Sequence, residues 1–246
     1  MTENKNRSRV LITGANSGIG YEVCKKYLGS GYEVIALYHS SSNYLDKLVL
    51  EYKDRIKIHA INLARSSQLS EFIVNNKEHL AKVGVFIHLA AMRKHIDYNS
   101  LTADDLVEHF IANTVSLVTL TQFFSRNMRN NLWGRIVIGS SIGVKFGGSS
   151  ITYAYSLSKY ASEFFPNAHR EWSADNVLVN AVRIGVTNTE PVKALGKKIN
   201  KSRASLIPMK RFAEPVEIAN EIYHLGSKDN TFITGQVFTV AGGESL

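Results

Sequence analysis

Seven apolar runs of strand length alternate along this chain with amphipathic segments of helical length, and that alternation narrows the possible folds more than any other feature. The runs are RVLITG (9–14), YEVIALY (32–38), RIKIHAINL (55–63), VGVFIHLAA (83–91), GRIVIGSS (134–141), NVLVNAVRIG (176–185) and GQVFTVAGG (235–243). They are nearly continuous in apolar side chains, the pattern of strands buried on both faces. Helical patterns such as 19–28 and 106–124 lie between them. Strands joined through helices form right-handed βαβ crossovers and a parallel sheet. The expectation is an α/β fold, a doubly wound parallel sheet of seven strands with helices on both faces, using residues 1–246 as one domain.

Composition excludes several classes. Hydrophobic residues make up 44% and charged residues 20% of the chain, which is enough to bury an ordinary core. No apolar run nears the roughly 20 residues of a membrane helix. The polar start, MTENKNRSR, leads into no apolar stretch of the signal-peptide kind. Cys24 is the single cysteine, so an intrachain disulfide is ruled out and a reducing compartment fits. A cytoplasmic protein with no membrane partner is expected. The net charge of +8 raises nucleic acid as a partner. However, the basic residues are scattered apart from one late stretch, and neither zinc-ligand spacing nor an aromatic RNA-binding signature accompanies them. No nucleic-acid partner is expected; attraction of an anionic substrate is the preferred reading of the charge.

The first apolar run ends in TGANSGIG, and a helical pattern opens directly after it. Gly14 permits a tight turn, Gly18 lets the backbone approach a pyrophosphate, and Gly20 lets helix and strand pack closely. The helix start adds free N–H groups and the positive end of its dipole. An ordinary glycine-rich turn is the bland alternative, and the position between first strand and first helix favours a phosphate loop. Further on, YSLSK sets Tyr155 and Lys159 four apart on one helix face. An ammonium near a phenol favours the phenolate and lowers the tyrosine pKa, which suits it to exchange a proton with a carbonyl oxygen. By itself, Y-x-x-x-K is a common accident of solvated helices.

Thr13 followed by the spaced glycines resembles the TGxxxGxG of the short-chain dehydrogenases/reductases, and the likeness continues along essentially the whole chain. GRIVIGSS is similar to the family's GRIVNISS, whose last serine hydrogen-bonds the substrate oxygen. Ser141 takes that place, fourteen residues before Tyr155 where the family's usual gap is thirteen, and Ser140 stays open as an alternative. Asn113, in HFIANTVSLVTL, matches the helix asparagine of the family's proton relay. The resemblance therefore implies a catalytic set of Asn113, Ser141, Tyr155 and Lys159. VLVNAVRIGVTNT is similar to the family's VNAVxPGxxxT, with Ile184 in place of the proline and Gly185 and Thr189 kept. RFAEPVEIANEI and FITGQVFTVAGG resemble two further family signatures of structural character. The resemblance implies a Rossmann-type NAD(P)-binding domain with a substrate lid at 187–211. It also implies hydride transfer between NAD(P)(H) and a carbonyl or alcohol, as in ketone or 3-oxoacyl-acyl-carrier-protein reductases.

The chain also departs from the family. HLAA (His88, Leu89, Ala90, Ala91) stands in place of NNAG, beside the adenosine half of the cofactor, and this form is more usual in larger relatives that act on nucleotide sugars. His88 reads as a packed residue rather than an acid or base. Tyr38 holds the position where an NAD enzyme has an aspartate for the ribose 2′-OH, and His39 and Ser40 follow it. With no carboxylate to repel a 2′-phosphate, NADP is expected over NAD, although Ser17 stands where many NADP enzymes have a basic residue. Asn62 replaces the adenine-contacting aspartate. The implied cofactor-binding set is Gly14, Asn16, Ser17, Gly18, Ile19, Gly20, Tyr38, His39, Ser40, Asn62, Leu63, Ala90, Ala91, Tyr155, Lys159, Ile184, Gly185, Thr187 and Thr189. No metal site is expected.

The lid segment carries Lys193, Lys197, Lys198, Lys201, Arg203, Lys210 and Arg211. A solvated helical face accounts for such a run without function. The sharper reading is attraction of an anionic small-molecule or carrier-bound carbonyl substrate. The apolar helices around Asn113 and Ala161 suit the interfaces through which family members form tetramers or dimers, so a homo-oligomer is expected. Two other readings stay open. One is a nucleotide-sugar ketoreductase, epimerase or dehydratase that uses NAD(P). The other is a non-catalytic nucleotide-sensing protein, although such proteins often lose the tyrosine or lysine kept here.

Overall fold

The computed structural model describes residues 9–244, and the polar residues 1–8 lie outside that range. Successive residues of a strand point to opposite faces of the sheet, and the core divides accordingly. In β1 (Arg9–Thr13), Val10 and Ile12 are buried on one face and Leu11 on the other. In β2 (Glu33–Tyr38), Val34 and Ala36 join the first layer while Ile35 and Leu37 join the second. Both faces are covered, which is why these runs lack polar alternation.

Between those strands lies α1 (Gly18–Gly29), and α2 (Asn43–Tyr52) leads to β3 (Ile56–Ala60). Next come α3 (Ser66–Asn75), the single turn α4 (Lys77–Leu80) and β4 (Val85–His88). The long crossover helix expected over 106–124 is two helices, α5 (Ala103–Phe110) and α6 (Ser116–Asn130), joined by a π turn at Ile111–Val115. Such a turn inserts a residue into the helix and re-aims its side chains. Asn113 lies within it. The remaining elements are β5 (Gly134–Ser141), α7 (Tyr153–Ala161), α8 (His169–Ala174), β6 (Val177–Ile184), α9 (Glu190–Lys193), α10 (Lys197–Ser205), α11 (Pro215–Gly226) and β7 (Val237–Val240). Helix starts are sealed locally: Thr102 and Asp105 form a capping box on α5, and Glu214 with Glu217 does the same for α11, which has Pro215 in its first turn.

All seven strands are parallel, in the order β3-β2-β1-β4-β5-β6-β7. This is the doubly wound sheet expected from the sequence. The chain leaves β1 in one direction and returns to place β4 on its other side. The crevice beyond the carboxyl ends of β1 and β4 is therefore the topological switch point, where such sheets bind ligands. Thr13 and His88 are register partners there. One face is covered by α1, α2 and α11, the other by α3 and α6 with their aliphatic and aromatic side chains. No helix of the described residues is long and apolar enough to cross a membrane.

Candidate active site

The glycine loop closes over the switch point. Gly14 has a φ of +66°, and a Cβ there would lie 2.7 Å from the Ala90 nitrogen. A Cβ on Gly20 would lie 2.3 Å from the Gly14 carbonyl oxygen, so α1 can start where it does only without a side chain. The Ser17 hydroxyl caps α1 by accepting from the Gly20 N–H at 3.0 Å. That leaves the Gly18 and Ile19 N–H groups, which have no partner within the helix, at its start. Gly18 faces Thr189, whose Cγ2 would be 3.2 Å from an added Cβ. Loop, Ala90 and Thr189 thus converge on one another. A glycine cradle at a helix start fits the pyrophosphate of a dinucleotide.

Other residues of the implied cofactor set divide into those facing this crevice and those engaged elsewhere. Ala90 is tied to β1 through its N–H, which donates to the Thr13 hydroxyl at 3.1 Å, and Ala91 is exposed. Tyr38 is half-buried, while His39 and Ser40 are exposed beyond the end of β2. The Asn16 side chain does not face the crevice, because its Oδ1 accepts from the N–H groups of Tyr44 and Leu45 (2.9 and 3.3 Å) and anchors the start of α2. Asn62 Oδ1 accepts from Ala64 N, and Leu63 packs into the core on the α3 side. Ile184 pairs in register with Ser141, and the Gly185 N–H donates to the Val240 carbonyl. Gly185 is small because Ala241 Cα lies 2.6 Å from where a Cβ would be. The Thr187 hydroxyl is also engaged, donating to the Gly185 carbonyl at 3.0 Å.

The two serines at the end of β5 have different surroundings. Ser140 Oγ donates to Glu163 Oε1 at 2.6 Å, and Glu163 is also gripped by Arg183. Ser141 Oγ accepts from Gly143 N at 3.1 Å and lies against the Tyr155 phenol. Burial raises the Tyr155 pKa above its usual value, while the Ser141 hydrogen bond and the Arg93 charge pull it back. The sequence spacing points to Lys159 for tuning the phenol, and the cation whose charge lowers the Tyr155 pKa here is Arg93. Lys159 Nζ is fully buried and donates to the carbonyls of Gly139 (2.7 Å) and Ala90 (3.2 Å), and burial lowers its pKa to about 8. The ammonium is thus held between the segment after β4 and the middle of β5.

Asn113 organises the segment after β4. Its Nδ2 donates to Met92 O (3.0 Å) and to Ser158 Oγ (2.8 Å), and its Oδ1 accepts from Met92 N (2.6 Å). Asn113 therefore joins the π turn, the β4–α5 segment and α7, the helix of Tyr155 and Lys159. His88 is buried at the switch point with Nδ1 at 3.0 Å from the Thr13 hydroxyl. Burial and then the Lys159 charge push its pKa down to about 3. Two participants are not marked by the sequence, Arg93, whose guanidinium lies over the Tyr155 ring at 5.6 Å from its centroid, and Ser158, while Thr13 is marked there only as part of the glycine motif. Only the position of Arg93, two residues beyond HLAA, could have flagged it.

Residues 14–245 match the enoyl-(acyl carrier protein) reductase family. The chain belongs to this family, one of the short-chain dehydrogenases/reductases. It is 26% identical to the 3alpha-hydroxysteroid dehydrogenase of Mediterraneibacter gnavus, over 94% of each chain. It is 29% identical to the acetoacetyl-CoA reductase of an Acinetobacter species, over 95% of this chain and 96% of that one. Among solved structures, an NADP-bound 3-oxoacyl (acyl-carrier-protein) reductase from Agrobacterium tumefaciens superposes with a TM-score of 0.86 at 24% identity, covering 98% of this chain and 96% of that one. The short-chain dehydrogenase/reductase frame is thus filled from β1 to β7.

Proposed function

We propose that this short-chain dehydrogenase/reductase is an NADP(H)-preferring oxidoreductase that moves a hydride between the nicotinamide and a carbonyl or alcohol. A ketone or 3-oxoacyl compound is its substrate in the reductive direction. The observation that carries the reading is the meeting of Tyr155, Ser141 and Lys159 with the glycine loop at one end of the sheet. The relatives named for acetoacetyl-CoA and 3-oxoacyl reduction support the substrate class. The bound nicotinamide supplies the hydride. Gly14, Gly18, Ile19 and Gly20 hold the pyrophosphate, and Tyr38, His39 and Ser40 receive the adenosine end. Tyr155 donates its proton to the carbonyl oxygen, and Ser141 donates a hydrogen bond to the same oxygen, favouring the charge that develops there. Lys159 holds the nicotinamide ribose, and Asn113 keeps the relay that returns the proton to Tyr155.

The reading takes the chain as one domain with residues 187–211 as the lid. The lid lies outside the sheet, in α9, α10 and the turns around them. Lys193 pairs with Glu190, Arg203 with Glu244 and Arg211 with Glu217. It also takes the protein as a cytoplasmic homo-oligomer, supported by the buried free thiol of Cys24 and by the exposed Val107, Val115, Val118 and Tyr160 on α5, the π turn, α6 and α7. The test is a fluorescence titration with NADPH and NADH in parallel, followed by a carbonyl screen with the tighter binder. Tighter NADPH binding supports the reading, tighter NADH binding overturns the cofactor preference, and binding of neither overturns the oxidoreductase itself.

A further inference from the structure

We infer that Arg93 is an anion-binding subsite beside the reacting carbonyl, and that the substrate is a free oxo acid whose carboxylate lies one or two carbons from that carbonyl. The inference rests on the reading of Tyr155 as the proton donor and narrows its substrate class.

Arg93 is held by its neighbours rather than by chance. On one side Met92 is clamped by Asn113 through both its N–H (2.6 Å) and its carbonyl (3.0 Å). On the other, Lys94 N donates to His109 Nε2 at 3.3 Å, and the buried His109 is oriented through Nδ1 by the Asp105 carbonyl at 2.7 Å. Further along, the N–H groups of Ile96 and Tyr98 donate to the carbonyls of Ile151 and Ser150 (3.0 and 2.8 Å), stapling the segment to the loop that enters α7. Backbone fixed at this density sets where the side chain leaves the chain, and the contact with the Tyr155 ring sets where the guanidinium lies. The Lys94 charge is taken up by Glu108. Arg93 has no ion-pair partner among the described residues, is exposed, and lies over the Tyr155 ring.

A guanidinium is a planar fork that matches a carboxylate with two parallel hydrogen bonds. Its contact with the Tyr155 ring leaves the guanidinium's N–H groups free to bind an anion. With its guanidinium 5.6 Å from the ring centroid of the phenol, Arg93 reaches only groups close to the carbonyl. The phosphates of a thioester carrier lie many bonds further out, beyond the reach of Arg93, and Lys197, Lys198 and Lys201 of the exposed α10 are a separate group of cations. The position of Arg93 therefore selects a short, free acid.

The test is equilibrium binding of acetoacetate and of its neutral analogue methyl acetoacetate to protein saturated with NADP⁺, where no turnover intervenes. Four proteins are compared: the wild type, Arg93→Gln, Arg93→Lys, and a triple variant with Lys197, Lys198 and Lys201 all changed to Gln. The wild type should bind the acid about ten-fold more tightly than the ester, a difference of about 1.4 kcal/mol. Arg93→Gln should abolish that preference with ester binding unchanged, Arg93→Lys should keep part of it, and the α10 variant should keep all of it. Equal binding of acid and ester, no measurable acid binding, or a preference that survives Arg93→Gln overturns the subsite. A preference that depends on Arg93, in a protein that never oxidises NADPH with either ketone, would sink the proposed reaction and leave the subsite standing. Turnover of both ketones without an Arg93-dependent preference would do the reverse.

Discussion

Ser140 donates its hydroxyl to Glu163 at 2.6 Å, and this pairing separates it from the next residue, Ser141, whose side chain lies against Tyr155. Consecutive strand residues face opposite ways, so only one of the two can address a substrate on the phenol. Ser141→Ala should lower kcat at least about 100-fold, the scale of one oxyanion donor. Ser140→Ala should leave kcat within about three-fold, because Arg183 still holds Glu163; its cost should be one hydrogen bond of stability, about 1 kcal/mol. Steady-state kinetics on both variants, with urea denaturation on the second, decides the matter. Equal losses of kcat would contradict the assignment.

Tyr155→Phe should remove turnover by about 100-fold to 10,000-fold, the worth of a positioned general acid, while NADPH still binds. The same phenol gives a pH dependence. Burial holds its pKa above the ordinary value of 10.0, and Ser141 and Arg93 oppose the shift. Alcohol oxidation needs the deprotonated phenol, so its rate should climb on the alkaline side. Removing Arg93 withdraws a positive charge that favours the phenolate, with Lys159 the remaining cation one helical turn along. The alkaline limb of Arg93→Gln should therefore move to higher pH with a neutral alcohol; a limb that stays or moves down would contradict the assigned tuning.

His88 should make the protein acid-sensitive. Its pKa falls from 6.5 to about 3 on folding, mainly through burial. Between those values the unfolded chain takes up a proton that the folded protein refuses. Stability is therefore intact above about pH 6.5 and falls toward pH 3, by up to about 1.4 kcal/mol per pH unit from this one group. Urea denaturation at stepped pH should give a shallower acid slope for His88→Asn than for the wild type. Parallel slopes would mean that His88 accepts its proton in the folded state.

Gly20→Ala places a Cβ 2.3 Å from the Gly14 carbonyl oxygen and 2.8 Å from Ala15 Cα. Both obstacles are backbone and cannot rotate away, so α1 must shift against β1. The cost should be about 1–3 kcal/mol of stability, read from the urea midpoint, together with weaker NADPH binding as the loop is displaced. Gly29→Ala, where a Cβ meets nothing within 4 Å, is the control that should do neither.

What the sequence determined by itself was local or periodic. The doubly wound sheet was legible because burial on both faces leaves seven apolar runs without polar alternation, and helices between them leave parallel pairing as the economical solution. The loop of Gly14, Gly18 and Gly20, and the pairing of Tyr155 with Lys159 on one helix, were legible because each lies within a single strand–turn–helix or one turn of helix. The tertiary structure alone decided the rest. It put Asn113 in a π turn rather than mid-helix and bonded Lys159 to the carbonyls of Gly139 and Ala90. It engaged the Asn16 side chain with the start of α2, and it brought Arg93 over Tyr155. The reason lies in contacts between segments distant in the chain, as when Asn16 meets Tyr44, Met92 meets Asn113 and Ile96 meets Ile151. Such pairings follow from how strands and helices dock, and no spacing within one segment records them.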